Sequence, residues 1–451
     1  MRVAVVGAGI VGVTTAWELA SSGHEVTVYE RHGSVAEETS FANAGMVAPG
    51  YVTPWAAPGM PGKVLRQLGS PHAAVRLHAN LDLGWALRFW RACRKRTYQA
   101  NRLHMQRLAT YSRERLHLLT DALRLDYECR QGFLVLLRTK KELAQATPGL
   151  ESLTALGTRF EVVDEARCRT IEPGLCEATP LHAAIHLPDE DVGNCRQFAL
   201  LLRRHATRHG VRFRFATEVT RLRVGATPSV ESRPVPTERP PLISRPAVRE
   251  TSLTANPEEF ALTRPEPSGP AQESFDAVVV CAALGAPALL RPLGVHLPLQ
   301  PVYGYSITAP LRPEEQSLVE GPRAALMDER YKVAITRLGS RVRVAGSAEL
   351  GGRPDRHHPQ AISTLYRVLA DWFPGAALLG QAQHWKGARP MLPDGPPVLG
   401  ASGIEGVWLN LGHGSSGWAL ACGSARVVAD AIDGRRPEID TDGLGIGRLR
   451  R

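Results

Sequence analysis

Six residues near the start of the chain, Gly7-Ala8-Gly9-Ile10-Val11-Gly12, have the types and spacing that let a backbone close around a phosphate. Gly7 suits a tight turn, Gly9 lets the main chain approach a pyrophosphate, and Gly12 lets a helix pack closely on a strand. The free N–H groups and the dipole at such a helix start favour a diphosphate. Glu30 follows Gly12 by 18 residues, close to where a carboxylate accepts hydrogen bonds from ribose hydroxyls. A 2′-phosphate would be repelled there, which disfavours NADP. The loop by itself leaves NAD and FAD open.

The elements that must hold this loop are readable around it. Residues 2–6 form a short apolar strand, 12–22 a helix, and 24–30 an alternating second strand, together a β-α-β unit. Residues 40–61, rich in Gly, Pro and Ala, read as an ordered loop. A helical pattern covers 73–125, a strand 132–138, and an amphipathic helix 195–209, ended by Gly210 and followed by a strand at 211–215. Residues 275–285 are a buried-strand pattern running into a glycine turn. Strands with short turns fill 301–350, a helix is expected at 359–372, and the glycine-dense stretch 387–434 ends in a helix at 418–432. Between Pro228 and Pro270 the chain carries ten prolines, few aromatics and many polar residues. Such a segment buries too little apolar surface to offset its ordering entropy, so 225–274 is expected to be a disordered insertion.

Bulk properties narrow the class. A chain of 451 residues with 43% hydrophobic and 22% charged residues suits a two-domain globular protein. No run of about 18 apolar residues marks a membrane span. Residues 1–20 mimic a secretory signal, but Glu18 interrupts the run, so they are read as part of the fold and the protein as cytoplasmic. Seven cysteines without a CxxC pair argue against zinc-ribbon or thioredoxin chemistry, and no metal site is expected. The net charge of +10 is spread along the chain rather than gathered in one tail. Nucleic acid is therefore not an expected partner.

The remaining motifs are long and ordered. The opening loop is followed by Glu37-Glu38-Thr39-Ser40-Phe41-Ala42-Asn43-Ala44-Gly45, Pro49-Gly50-Tyr51 and Pro54-Trp55-Ala56-Ala57-Pro58-Gly59. Then come Gly304-Tyr305-Ser306, Asp328-Glu329-Arg330-Tyr331-Lys332-Val333-Ala334-Ile335-Thr336-Arg337, and Gly387-Ala388-Arg389-Pro390. Asn410-Leu411-Gly412-His413-Gly414-Ser415-Ser416-Gly417-Trp418 closes the set. Over nearly the whole chain except 225–273, this pattern resembles the small subunit of bacterial D-amino acid dehydrogenase.

That resemblance implies an α/β protein in which a Rossmann-type FAD-binding domain is interleaved with a β-rich α+β substrate domain. The FAD-binding part is expected at 1–60, 194–224, 275–295 and 386–451, and the substrate part at 61–193 and 296–385. Val6, Gly7, Gly9, Ile10, Val11, Gly12, Glu30 and Arg31 would serve the adenine half of FAD. Thr39, Ser40, Asn43, Ala44, Gly45 and Met46 would cross the pyrophosphate and flavin edge, where small residues let the backbone approach. Ala282 and Gly285 would pass near the adenosine. Gly412, His413, Gly414, Ser415 and Gly417 would set a helix start against the flavin pyrimidine ring.

The implied reaction is oxidation of a D-amino acid by hydride transfer from Cα to flavin N5, giving a 2-oxo acid and ammonia. Arg389 matches the arginine that grips the substrate carboxylate in related flavin amino acid oxidases, a task suited to a guanidinium fork. Tyr331 and Tyr305 are candidates to hydrogen-bond the carboxylate or wall the pocket, and His413 to touch flavin or substrate. Electrons would pass to a quinone or another respiratory acceptor, and an oligomer is compatible with the family. Residues 85–96, with Trp85, Phe89 and Trp90 among basic residues, read either as a packed helix or as a face resting on the inner side of an anionic membrane. Tyr303 stands where the family usually carries Lys or Arg, and Ala345 where it usually carries Gly. Sibling chemistries remain open: D-proline or D-hydroxyproline dehydrogenation, a glycine- or sarcosine-type oxidase and, more remotely, an RNA-modifying flavoprotein.

Overall fold

Strand Arg2–Val6 carries four consecutive buried residues because both of its faces are covered. It pairs in parallel with Glu25–Tyr29 on one side and Ala277–Val280 on the other, Val5 lying between Val28 and Val279. Arg212–Arg214 extends the sheet beyond Glu25–Tyr29, and Val407–Leu411 then Val398–Ile404 extend it beyond Ala277–Val280. The chain thus leaves the central strand in both directions, and a crevice opens at the carboxyl ends of the strands beside Gly7. Helices Ile10–Ser21, Lys95–Leu123, Cys195–Arg208 and Gly417–Ile432 cover one face, sharing a core that includes Val3, Leu19, Leu108, Phe198 and Leu420. This computed structural model describes residues 1–450 apart from 68, 71, 156, 226, 237–270 and 314–319.

A second sheet runs in the order Gln383–Met391, Gln300–Pro310, Arg341–Leu350, Val333–Leu338, Ala325–Asp328, Arg130–Leu137, Ala183–Val192 and Met46–Val47. Alternation decides what each face does. Leu134 and Leu136 join Ile307, Ile335 and Val344 under helix Pro359–Trp372, whose Ala361, Leu365, Val368 and Trp372 form a buried stripe. Phe133, Val135, Met327 and Ala334 point the other way, toward residues 44–51.

Three sequence-based boundaries need correction. The expected insertion 225–274 is shorter, because Ser229–Pro234 and Ala271–Ser274 join Thr217–Arg223 in a three-stranded sheet. The alternation there drives Val230 into the core beside Leu222, a gain the prolines around it hide. The rest of the proline-rich stretch lies outside the described residues. The domain boundary placed at 386 falls inside strand Gln383–Met391, so Arg389 belongs to the second sheet. Likewise 73–125 is not one helical run: strand Val75–Leu77 precedes helices Leu83–Ala92 and Lys95–Leu123.

Candidate active site

The nucleotide corner is made of backbone. Gly7 has φ +102, and a Cβ on it would sit 2.8 Å from the Cys281 carbonyl oxygen. A Cβ on Gly12 would lie 1.9 Å from the Gly7 oxygen, so no side chain can stand there without separating helix from strand. Glu30 is buried and accepts the Ala8 N–H at 2.7 Å and the His32 N–H at 2.9 Å, one on each oxygen. Burial raises its pKa against those amides, and the remaining lone pairs suit hydroxyl donors. At the helix start the Ile10 N–H is held by Ser40 Oγ at 3.1 Å, while the N-cap Gly9 brings no side chain of its own. Arg31, half exposed, pairs with Glu38. Ala282 packs against Gly7, and Gly285 ends the turn Ala283–Gly285.

A cavity of about 1410 Å³ lies between the two sheets. Ile10, Thr39, Ser40, Asn43, Ala44, Gly45 and Met46 line it from the first domain, as do Gly414, Ser415 and Gly417. Val6, Gly7, Gly9, Val11, Gly12, Ala282, Gly285 and Gly412 do not line it. The 39–46 segment is tied down at several points. Thr39 Oγ1 donates to the Ala388 oxygen at 2.6 Å, Asn43 Oδ1 accepts the Gly45 N–H at 2.9 Å, and Trp418 Nε1 donates to the Gly45 oxygen at 3.2 Å. Beneath it Arg343 donates to the Asn43 oxygen at 3.1 Å, and burial pulls this guanidinium down to about 10. Helix Gly417–Ile432 starts at the cavity, and its N-cap Ser416 makes no side-chain cap. Its first amides are open to a ligand.

Across from these, Arg389 lines the cavity with no carboxylate partner among the described residues. Its guanidinium lies over Gly304, where a Cβ would come within 2.2 Å of it, and beside the Trp55 ring at 5.6 Å. One nitrogen donates to the Ser347 oxygen at 3.0 Å, and Ser347 holds a left-handed φ of 64 to present that carbonyl. Burial pulls the Arg389 guanidinium down to about 10, so it stays charged near neutral pH. Gly304, Ser347, Trp55 and Trp385, the last folded over Gly387, escaped the sequence reading as site residues. The signal available was the glycine before Tyr305, which spares room for the arginine.

The other expected substrate residues are placed differently. Tyr305 lines the cavity, but its hydroxyl donates to Glu349 at 2.5 Å and accepts the His358 N–H at 3.1 Å. Tyr331 does not line it; its ring packs between His72, Arg138 and Arg367 on the helix-covered side. His413 is also absent from the wall. It is buried against Ser424 Oγ at 3.0 Å, and burial lowers its pKa to about 3, so the ring is neutral. At Tyr303, where a basic residue is usual, the Lys386 ammonium from the next strand sits 4.4 Å over the ring. Lys386 is itself pinned by the Arg353 and Arg356 carbonyls, each at 2.7 Å.

The family of FAD dependent oxidoreductases, DAO, matches residues 2–431. A D-amino acid dehydrogenase of Cereibacter sphaeroides is 43% identical over 99% of this chain and 95% of its own. One from Rhizorhabdus wittichii is 40% identical over 99% of this chain and all of its own. Among solved structures, glycine oxidase from Geobacillus kaustophilus superposes with a TM-score of 0.70 at 19% identity, covering 99% of this chain and 98% of that one. The two-sheet architecture is therefore shared well beyond recognisable sequence identity. The open start of helix Gly417–Ile432, the glycine turn at Gly7–Gly12, the lone pairs of Glu30 and the small-residue segment 42–46 fit FAD.

Proposed function

The chain belongs to the DAO family of FAD-dependent oxidoreductases, and on that premise we propose that it oxidises D-amino acids to 2-oxo acids and ammonia. Loss of a hydride from Cα and a proton from nitrogen leaves an imine, which water splits into the two products. FAD, when bound, supplies the acceptor for that hydride.

Arg389 carries this reading. A guanidinium buried in a cavity wall without a counter-charge is costly unless a ligand brings one. A substrate carboxylate does, and it can take two parallel N–H donors at once. The Ser347 carbonyl occupies one N–H and so fixes how the fork is turned. Trp55 and the flat floor of Gly304 confine it from two further directions. Much of the cavity surface is apolar, including Met46, Met327 and Ala334, which excludes water around the reacting carbon. Anaerobic mixing of the FAD-loaded protein with paired D- and L-amino acids tests the proposal. Bleaching of the flavin band by D-isomers is expected; bleaching by L-isomers alone rejects it.

We further propose that the electron acceptor is met at a membrane surface. Leu83, Leu87 and Trp90 are 81%, 47% and 60% exposed and form one stripe of helix Leu83–Ala92. Arg88 and Arg91 lie on the same exposed helix, an arrangement that rests on anionic lipid. No helix among the described residues is long and apolar enough to cross a bilayer. A quinone drawn from the lipid would meet the cavity at Phe89 and Trp90, which also line it. Co-sedimentation with anionic but not neutral vesicles, weakened in Trp90→Ser, is expected; no binding even at low salt excludes this arrangement.

A further inference from the structure

We infer that Lys332 sets the side-chain preference of the cavity by neutralising Glu329, a carboxylate that would otherwise select basic substrates. The inference rests on the reading above, in which a D-amino acid is held through its carboxylate at Arg389.

Away from Arg389, Glu329 is the one carboxylate lining the cavity among the described residues, with Tyr51 and Lys332 beside it; Lys63, Lys95 and Arg102 are the other charged residues of the wall. Tyr51 ends the turn Pro49–Tyr51, and Glu329 and Lys332 occupy the turn between strands Ala325–Asp328 and Val333–Leu338. That turn is rigidly anchored. Asp328 is wholly buried and accepts the Tyr331 N–H at 3.1 Å, Trp372 Nε1 at 2.8 Å and the Arg138 fork. Lys332 adopts a left-handed φ of 53. The Tyr51 hydroxyl donates to Glu329 at 3.1 Å, Lys332 donates to that hydroxyl at 3.3 Å, and Lys332 and Glu329 form an ion pair.

The geometry suits contact with the far end of a substrate. The strand carrying Arg389 lies three positions across the sheet from the strand that follows Lys332, about 14 Å at ordinary strand spacing. Arg389 and Lys332 are both long side chains that line the same cavity. A side chain of four or five atoms, tethered at Arg389, reaches the trio.

Charge then decides which side chains are welcome. Glu329 and Lys332 cancel, and the nearby Lys63 adds a positive charge; burial and the Lys332 charge lower its pKa. A neutral side chain meets the apolar wall, whereas a cationic one meets net positive charge and finds its natural partner taken. Without Lys332, the Glu329 carboxylate loses its ion-pair partner and keeps the Tyr51 hydroxyl bond, with the Lys63 charge nearby, so it can bind an ammonium or guanidinium. The side chains of Lys332 and Glu329 remain 41% and 22% exposed, so solvent screens the effect to a modest factor.

D-lysine and D-norleucine differ by one terminal amine and isolate this effect. Their kcat/KM ratio is compared in the FAD-loaded wild type, Lys332→Met, Lys332→Arg, Glu329→Gln and the Lys332→Met/Glu329→Gln double variant, with dissociation constants from anaerobic flavin spectra alongside. Lys332→Met is expected to raise the D-lysine to D-norleucine ratio severalfold, the double variant to lose that gain, and Lys332→Arg to keep the wild-type ratio. Should Lys332→Met fail to hold FAD, Glu329→Gln still decides: it is expected to lower the ratio severalfold, and an unchanged ratio overturns the inference. An unchanged ratio in Lys332→Met, or a gain that survives in the double variant, also overturns it. A wild type bleached by no D-amino acid rejects the proposed reaction and this inference together, whereas bleaching with an unmoved ratio rejects the inference alone.

Discussion

The nucleotide corner and the substrate wall are built on opposite principles. The corner is mostly contiguous in sequence, residues 1–32 with Ser40 and the turn at 281–285, and it works through main-chain amides, glycines and one carboxylate. The wall is collected from residues 51–55, 304–306, 327–334, 345–347 and 385–389, and it works through side chains whose aim depends on sheet register. A backbone site fails when a side chain is added; a side-chain site fails when one is removed or turned.

The largest effect expected from this difference is in the corner. Gly12→Val puts a Cβ where only 1.9 Å separates it from the Gly7 oxygen, with two methyls beyond. Overpacking at such a helix–strand contact costs about 1–3 kcal/mol or more, and the displaced loop cannot cradle a diphosphate. Purified Gly12→Val is expected to carry no flavin by absorbance and to melt well below the wild type. Retention of stoichiometric flavin would break the backbone account.

At the wall, Arg389→Leu should instead keep FAD and raise KM on the order of a hundredfold, since a charge-assisted pair is worth roughly 1.5–3 kcal/mol. Gly304→Ala sharpens the comparison, because it leaves Arg389 in place but sets a methyl 2.2 Å from its guanidinium. A smaller KM rise, about tenfold, is expected from steady-state kinetics with D-amino acids. If Gly304→Ala behaves as wild type while Arg389→Leu does not, the fork is mobile and its aim is not set by the floor beneath it.

What could be read from the sequence follows the same division. Gly7 to Glu30 was legible because each residue acts through the peptide next to it, and the apolar run within 132–138 announced a strand. Arg389 was reachable through its motif. Tyr305, Tyr331 and His413 were named from the same kind of motif, yet only Tyr305 lines the cavity, with its hydroxyl already held by Glu349. The reason is geometric. Opposite Gly304 the strand Arg341–Leu350 carries an extra residue, which shifts the register between Tyr303 and Tyr305, and a one-residue slip there inverts any assignment. Within the Asp328–Lys332 turn, likewise, Tyr331 packs on the helix-covered side while Glu329 and Lys332 face the cavity. Residue type alone cannot make that choice.

Each region also hides a carboxylate under backbone amides, and the pair gives the subtlest test. Glu30 has lone pairs facing the nucleotide site, so a ligand can relieve its burial. Glu190, under the turn Pro49–Tyr51, accepts the Gly50 N–H at 2.8 Å and has Arg113 at 3.3 Å, but no ligand reaches it. Burial outweighs the Gly50 amide and the Arg113 charge and pushes its pKa from 4.5 up to about 7. Because the folded form holds its proton more tightly than the unfolded chain, stability falls as pH rises from about 4.5 to about 7, and the cost persists above that. Glu190→Gln keeps an acceptor for Gly50 and removes the charge. It is expected to raise the melting temperature at pH 8, by a few degrees for about 1 kcal/mol, and to have little effect at pH 5. An equal loss of stability at both pH values would mean that the Arg113 pair outweighs burial and that the substrate wall rests on a charged Glu190.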